Sequence, residues 1–158
     1  MAVADVVALS VTSQTGSNSP PTTGPGATVG AGVTGCLGAV QSGALGEGWS
    51  DLFAASIFDA PETFKFIYEG TGFARHLSND LTYDQLCEVY DYDQACQFHA
   101  DSLIWTGALW DLRRSMVALD PAAGLDTFHR IVLEGMASTP CNPDYLDARD
   151  AILDADQT

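Results

Sequence analysis

Positive charge is scarce in this sequence. Of its 158 residues only 6 are lysine or arginine, against 21 aspartates and glutamates, and the formal net charge is -15 at pH 7. A field of this sign repels phosphate backbones and anionic lipid headgroups. The composition therefore argues against nucleic acid and against a charged membrane surface as partners.

Long apolar runs are also missing. No stretch approaches the roughly 20 apolar residues that span a bilayer, so we expect no transmembrane helix. Residues 1–11, MAVADVVALSV, contain no basic residue and include Asp5. Since a secretory signal peptide begins with a basic region, we recognise no signal peptide in the chain as written.

Residues 12–35 contain few residues that build a core. They are almost all glycine, proline, serine and threonine, and such a stretch buries too little apolar surface to offset its ordering entropy. We therefore predict that residues 1–35 are a low-complexity, disordered or aberrant segment. Residues 36–158 have a helical pattern and are predicted to fold as a helical lobe.

The four cysteines form no CxxC pair. A disulfide between Cys87 and Cys96, closing a short loop, is the preferred interpretation, and it favours an oxidising, extracellular setting. A metal cluster of these two residues with His99 does not fit the spacing of a zinc knuckle or ribbon. Buried free thiols remain a further alternative.

Apolar residues at helical spacing predict helices over residues 45–58, 100–119 and 125–137. Asp126 is a plausible cap for the third, and a last helix is predicted to begin at Asn142-Pro143 as N-cap and first helical residue. A short helix over 62–69 is also possible, whereas 73–96 look irregular. Strand signals are weak, so the predicted fold class is mainly α, a bundle of four or five helices.

Glu47 and Asp51 are the most informative pair of residues. A helix places both carboxylates on one face, one turn apart, among small and apolar residues that suggest burial. Two buried carboxylates repel each other and need cationic partners, for which a divalent metal with its histidine ligands is one answer. The alternative is that both lie at a helix N-terminus and complement its dipole.

Several ordered motifs resemble the fungalysin-type zinc metallopeptidases, which are relatives of thermolysin. Residues 46–51 read GEGWSD, the family's signature, and Cys36-Leu37 precede it as they do in the family. Residues 99–111, HADSLIWTGALWD, resemble the family's segment of a histidine, then Trp-Ala, then Leu-Trp-Asp/Glu. Pro140-Cys141-Asn142-Pro143 and residues 147–152 are similar to its closing helix. The resemblance covers residues 36–157 and implies the helical C-terminal lobe of a thermolysin-like catalytic domain.

The resemblance implies a role for each matching residue. Glu47 corresponds to the third zinc ligand, and Asp51 to the carboxylate that orients a zinc-bound histidine. His99 corresponds to the histidine that stabilises the oxyanion. Arg75 is a weaker match to the arginine that holds the substrate carbonyl, and Asp93 to a group that orients His99. The implied cofactor is zinc, and the implied substrate is a peptide or protein.

Structural interpretations compete with some of these roles. His99 is also interpretable as a capping or core histidine, and Arg75 as a surface arginine. His76 and His129 match no role, and we expect His129 to lie on a helix surface. Trp105 and Trp110 are expected in the core.

The family's HExxH helix, which supplies two zinc ligands and the general base, has no counterpart in the chain. All three histidines follow Glu47. Because catalytic zinc needs three protein ligands and an open position, we expect this chain alone to be inactive.

Several explanations for the missing helix stay open. The chain is a truncated or frame-disrupted product of a secreted metalloendopeptidase gene, or a fragment that complements an N-terminal lobe supplied separately. It is otherwise a catalytically dead module that binds peptides, or a small acidic interaction domain unrelated to peptidases. Helices that lack their packing partner should expose an apolar face, which predicts self-association.

Overall fold

A computed structural model describes residues 36–63, 75–88 and 96–157. The elements are α1 (Val40–Phe58), β1 (Glu62–Thr63), β2 (Arg75–His76), a 3-10 turn (Tyr83–Gln85), α2 (Phe98–Leu119), α3 (Gly124–Ser138) and α4 (Tyr145–Asp156). The predicted fold class, mainly α, is confirmed. Residues 1–35 lie outside the described residues. In the part that is described, no helix has both the length and the apolar character needed to cross a membrane.

Helix α2 is the central element, because it packs against both α1 and α3, and α3 packs in turn against α4. The apolar residues whose spacing predicted this helix form part of the core, since Ile104 and Leu112 are at most 1% exposed. Trp105 and Trp110 are 1% and 4% exposed, which confirms their prediction as core residues. Burial of one amphipathic face against two neighbours is what stabilises a helix of this kind.

Helices α1 and α2 approach each other closely at Gly48. A Cβ atom at this position would lie 3.1 Å from Cδ1 of Trp105 and 3.3 Å from the carbonyl oxygen of Ser102. The next residue, Trp49, is 1% exposed and meets Trp105 edge to face, with ring centroids 6.3 Å apart. The glycine lets the two helices approach closely, and the adjacent tryptophan fills the space beside the contact.

The observed starts of α1 and α3 differ from the predicted ones. Helix α1 begins at Val40 rather than at residue 45, and its first turn is closed by Ser42, whose Oγ accepts the Ala39 N–H at 3.0 Å. Helix α3 begins at Gly124, and Asp126, predicted as a cap, lies in its first turn while Ala123 occupies the cap position. The turn before α3 is instead held by Asp120, whose Oδ1 accepts two backbone N–H groups.

The prediction for the start of α4 was wrong by two residues. The N-cap is Asp144, whose Oδ1 accepts the N–H groups of Leu146 and Asp147. Asn142 has φ 53, and its Oδ1 accepts the N–H of Gly38 at 2.9 Å. Asn142 therefore serves the approach to α1, and its side chain is not available to α4.

Residues 62–63 form a strand, so the short helix predicted from residue 62 is wrong there. Strand β1 pairs antiparallel with β2, with Glu62 opposite His76 and Thr63 opposite Arg75. Residues 64–74 lie outside the described residues. The pairing holds the start of the segment predicted to be irregular next to β1, and it places Arg75 beside helix α1.

Two disulfides are present. The predicted Cys87–Cys96 bond is confirmed, with a sequence separation of 9, and a second bond joins Cys36 to Cys141 across 105 residues. The alternative of a metal cluster formed by Cys87, Cys96 and His99 is therefore wrong, because its two sulfurs are bonded to each other.

Candidate functional site

Helices α1 and α2 bring Glu47 and His99 together. Oε2 of Glu47 lies 2.9 Å from Nδ1 of His99, and the two side chains are 41% and 54% exposed. The cap of α2 is Gln97, whose Oε1 accepts the His99 N–H at 2.8 Å. Because His99 is exposed and is not the cap, neither the core nor the capping interpretation describes it.

Asp51 follows Glu47 by one turn and points into the protein, where it is 4% exposed. Its two oxygens face the guanidinium of Arg75, with Nη2 to Oδ1 and Nε to Oδ2 both at 2.7 Å. Burial raises the pKa of Asp51, while the hydrogen bond and the charge of Arg75 oppose that rise. The buried carboxylate therefore has a cationic partner, and that partner is an arginine.

Neither Glu47 nor Asp51 lies at a helix N-terminus. Helix α1 begins at Val40, and its first turn contains no acidic residue. The interpretation that both carboxylates complement the helix dipole is therefore wrong, because that effect is confined to the first turn.

Four of the predicted site residues form one cluster. Glu47 contacts His99, Asp51 contacts Arg75, and the charges of Glu47 and His99 both act on the pKa of Asp51. Arg75 is 14% exposed on its side chain, so it is not the surface arginine of the alternative interpretation. Asp93 lies outside the described residues.

The donors of the described residues fit only part of a zinc site. A carboxylate oxygen such as that of Glu47 is an acceptable zinc ligand, but three protein ligands are required. Within residues 36–63, 75–88 and 96–157, the group of three possible ligands that lie close together is Cys87, Cys96 and Asp101. Its two sulfurs form a disulfide, so the described residues do not complete a zinc site around Glu47.

His129 has a role that the sequence did not predict. Its Nε2 lies 2.7 Å from Oγ of Ser56, and that oxygen also accepts from Nε of Arg113 at 2.9 Å. Burial lowers the pKa of His129, and the charge of Arg113 lowers it further. The expectation of an ordinary surface histidine was wrong, because α3 turns this residue towards α1. No spacing in the sequence signals the contact.

Comparison with known proteins gives one family. The sequence profile described as "Fungalysin metallopeptidase (M36)" matches residues 26–158. The chain is 31% identical to "Extracellular metalloproteinase 1" of Arthroderma otae, over 77% of this chain and 23% of that protein. It is 34% identical to "Probable extracellular metalloproteinase 4" of Trichophyton verrucosum, over the same shares. The chain thus spans about a quarter of the length of these relatives. No solved structure matches it.

Proposed function

The chain belongs to the fungalysin metallopeptidases, and we propose that it supplies the helical lobe of the catalytic site in a secreted zinc metalloendopeptidase. The observation that carries this proposal is the contact between Glu47 and His99, at 2.9 Å. Two rigid helices hold a carboxylate and an imidazole side by side at a solvent-accessible surface. The relatives are named extracellular metalloproteinases, which supports both the reaction class and secretion.

In this proposal Glu47 is a zinc ligand. Its side chain is 41% exposed, so a carboxylate oxygen is accessible to a metal ion from the solvent side. Zinc, when bound, supplies Lewis-acid polarisation and an activated water. The remaining ligands and the general base come from an HExxH segment that this sequence does not contain, and this chain alone does not cleave peptides.

Asp51 orients one of those histidines. A carboxylate has about four lone-pair sites, so it can accept an imidazole N–H while it stays bound to Arg75 through both oxygens. The arginine fixes the position of the carboxylate, and the carboxylate in turn fixes the imidazole. Arg75 is also the proposed contact to the substrate carbonyl.

His99 stabilises the oxyanion of the hydrolysis. Its Nδ1 is engaged by Glu47, which leaves Nε2 as the nitrogen that donates towards the substrate. Asp93 is the other group proposed to orient the ring, and it would share Nδ1 with Glu47 because Nε2 faces the substrate. Removing one donor of this kind typically lowers kcat by about 10²–10³.

The test begins with the DNA that encodes the chain, read in all three frames upstream of residue 36 for an HExxH sequence. If one is present, the longer product is expressed with Glu47→Gln, His99→Phe and, as a matched control, the exposed Glu134→Gln. Glu47→Gln should lose bound zinc, whereas His99→Phe should keep zinc and lose about 10²–10³ in kcat. Full zinc content and activity in Glu47→Gln would contradict the proposal.

A second candidate function is a peptidase-like module that binds peptides without cutting them. The observation in its favour is that no three-ligand group surrounds Glu47 among the described residues. If no HExxH lies upstream in any frame, this candidate replaces the first. It predicts that the chain binds an unfolded protein substrate without cleaving it, with or without added zinc.

A further inference from the structure

The first turn of α2, which carries His99, contains a buried carboxylate. Asp101 is 1% exposed, and its Oδ1 accepts the backbone N–H of Cys87 at 2.8 Å. Burial raises the pKa of Asp101, and the hydrogen bond from Cys87 opposes the rise. Burying a carboxylate is costly, so its position calls for a reason beyond filling space. The carbonyl oxygen of the same residue accepts the hydroxyl of Tyr145 at 2.8 Å, which ties this turn to α4.

The partner of Asp101 is covalently linked back to the start of the same helix. Cys87 forms a disulfide with Cys96, and Cys96 directly precedes Gln97, the cap whose side chain accepts the His99 N–H. Asp101 is therefore connected through its hydrogen bond to Cys87, and through the disulfide, to Cys96, which precedes the N-cap of α2. Cys87 has φ 67, a left-handed conformation that is uncommon for residues with a side chain.

We propose that Asp101 and the Cys87–Cys96 disulfide are positioning groups that hold His99 against Glu47. The inference rests on the role given to His99 under the proposed function. The disulfide fixes the approach to α2, and the Asp101 carboxylate fixes the disulfide to the helix, so the first turn cannot rotate or fray. A displacement of about 1 Å costs on the order of 10²-fold in rate when a catalytic group depends on orientation.

The second disulfide is a matched control. Cys36–Cys141 closes a much longer loop and joins the approaches to α1 and α4, where Asn142 also accepts the Gly38 N–H. Neither of its cysteines lies next to the cap of α2. Its removal should lower stability without moving His99.

The experiment uses the full 158-residue chain labelled with ¹⁵N-histidine and follows the three imidazole signals by NMR at one pH. Glu47→Gln gives the reference signal of His99 without the carboxylate. In Asp101→Ala and in Cys87→Ser/Cys96→Ser, the His99 signal should shift towards that reference, while the signals of His76 and His129 stay in place. Asp101→Asn keeps an acceptor oxygen for the Cys87 N–H, so this variant should retain the wild-type His99 signal. Cys36→Ser/Cys141→Ser should leave it unchanged.

An unchanged His99 signal in folded Cys87→Ser/Cys96→Ser overturns the proposal, as does a shift of equal size in Cys36→Ser/Cys141→Ser. If Asp101→Ala does not fold, the double serine variant and Asp101→Asn decide the question. The measurement uses no metal and no peptide. Its failure therefore leaves the proposed function standing, and loss of the proposed function through the zinc test leaves this result intact.

Discussion

Arg75 holds both carboxylate oxygens of Asp51, at 2.7 Å each. The two residues come from different elements, strand β2 and helix α1, and the carboxylate is almost completely buried. A planar guanidinium matches a carboxylate at two points, which adds geometric specificity to the charge attraction. The pair therefore fixes the only described strand pairing against the helix that carries Glu47.

Removing the arginine of this pair should strongly destabilise the fold. Arg75→Gln leaves Asp51 buried without its cation, and breaking a buried pair in this way typically costs about 3–5 kcal/mol. The control is Arg114→Gln, because Arg114 is 63% exposed and pairs with Asp111 at 3.6 Å. A surface change of that kind stays within about 0.5 kcal/mol. Urea unfolding measures both, and equal midpoints for the two variants would contradict the role of the pair.

His129 should make the free energy of unfolding depend on pH. Arg113 already donates to Ser56 Oγ, so the Ser56 hydroxyl can donate to a neutral His129. Its pKa is lowered in the folded chain, so the unfolded chain binds more protons between that lowered value and the usual value of about 6.5. The contribution is therefore fully present above about pH 6.5 and is lost as pH falls through the lowered pKa.

The measurement for His129 is the difference in the free energy of unfolding between the wild type and His129→Gln across a pH series. Arg113 and Asp126 are the charged groups that act on the ring, and Arg113 is paired with Asp59. All three are the same in both proteins. The raised pKa values of Asp51 and Asp101 act with the opposite sign and cancel in the difference. The difference should rise up to about pH 6.5 and then stay level. A difference that is flat throughout would rule out this coupling.

The Cys36–Cys141 disulfide should contribute more to stability than the Cys87–Cys96 bond. Chain entropy predicts about 4–5 kcal/mol for a loop of roughly 100 residues and about 2–3 kcal/mol for one of roughly ten. Their separations are 105 and 9 residues. Chemical unfolding of Cys36→Ser/Cys141→Ser and Cys87→Ser/Cys96→Ser tests the order, and the reverse order would show that local packing outweighs chain entropy.

Self-association should depend on the end of α1. Ile57 and Phe58 are 74% and 81% exposed, and burying two such side chains gains about 1.5–3 kcal/mol each. Ile57→Thr/Phe58→Ser should therefore weaken self-association by at least about tenfold in Kd, while the exposed Asp111→Ser leaves it unchanged. Sedimentation velocity over a concentration series measures this, and a wild-type chain that stays monomeric throughout would contradict it.

The helices could be predicted because their apolar residues recur at helical spacing. For α2 and α3 the predicted bounds fall within two residues of the observed ones. Helix α1 was predicted too short because Gly43 weakens the pattern near its start. The reason for a glycine at this position is a residue distant in sequence, since a Cβ there would lie 3.1 Å from the ring of Phe98.

The site could be predicted only in part. The motifs named Glu47, Asp51 and His99, but nothing in the sequence indicated that Asp51 and Arg75 bind each other across 24 residues. That pair depends on the two-residue strand β2, which is too short to give an alternating pattern. The same holds for Ser56 and His129, which are 73 residues apart and meet only because three helices pack together.

The close contact at Gly48 changes what the GEGWSD hexapeptide signifies. Glu47 and Asp51 carry charge. Gly48, by contrast, is required because a side chain there would crowd Trp105, and Trp49 is required because it fills part of the core. Selection for a foldable helix pair alone is therefore enough to keep the middle of the motif. A match to this hexapeptide therefore indicates the helix pairing first, and the two carboxylates must be judged separately before a chain that carries it is counted as an enzyme.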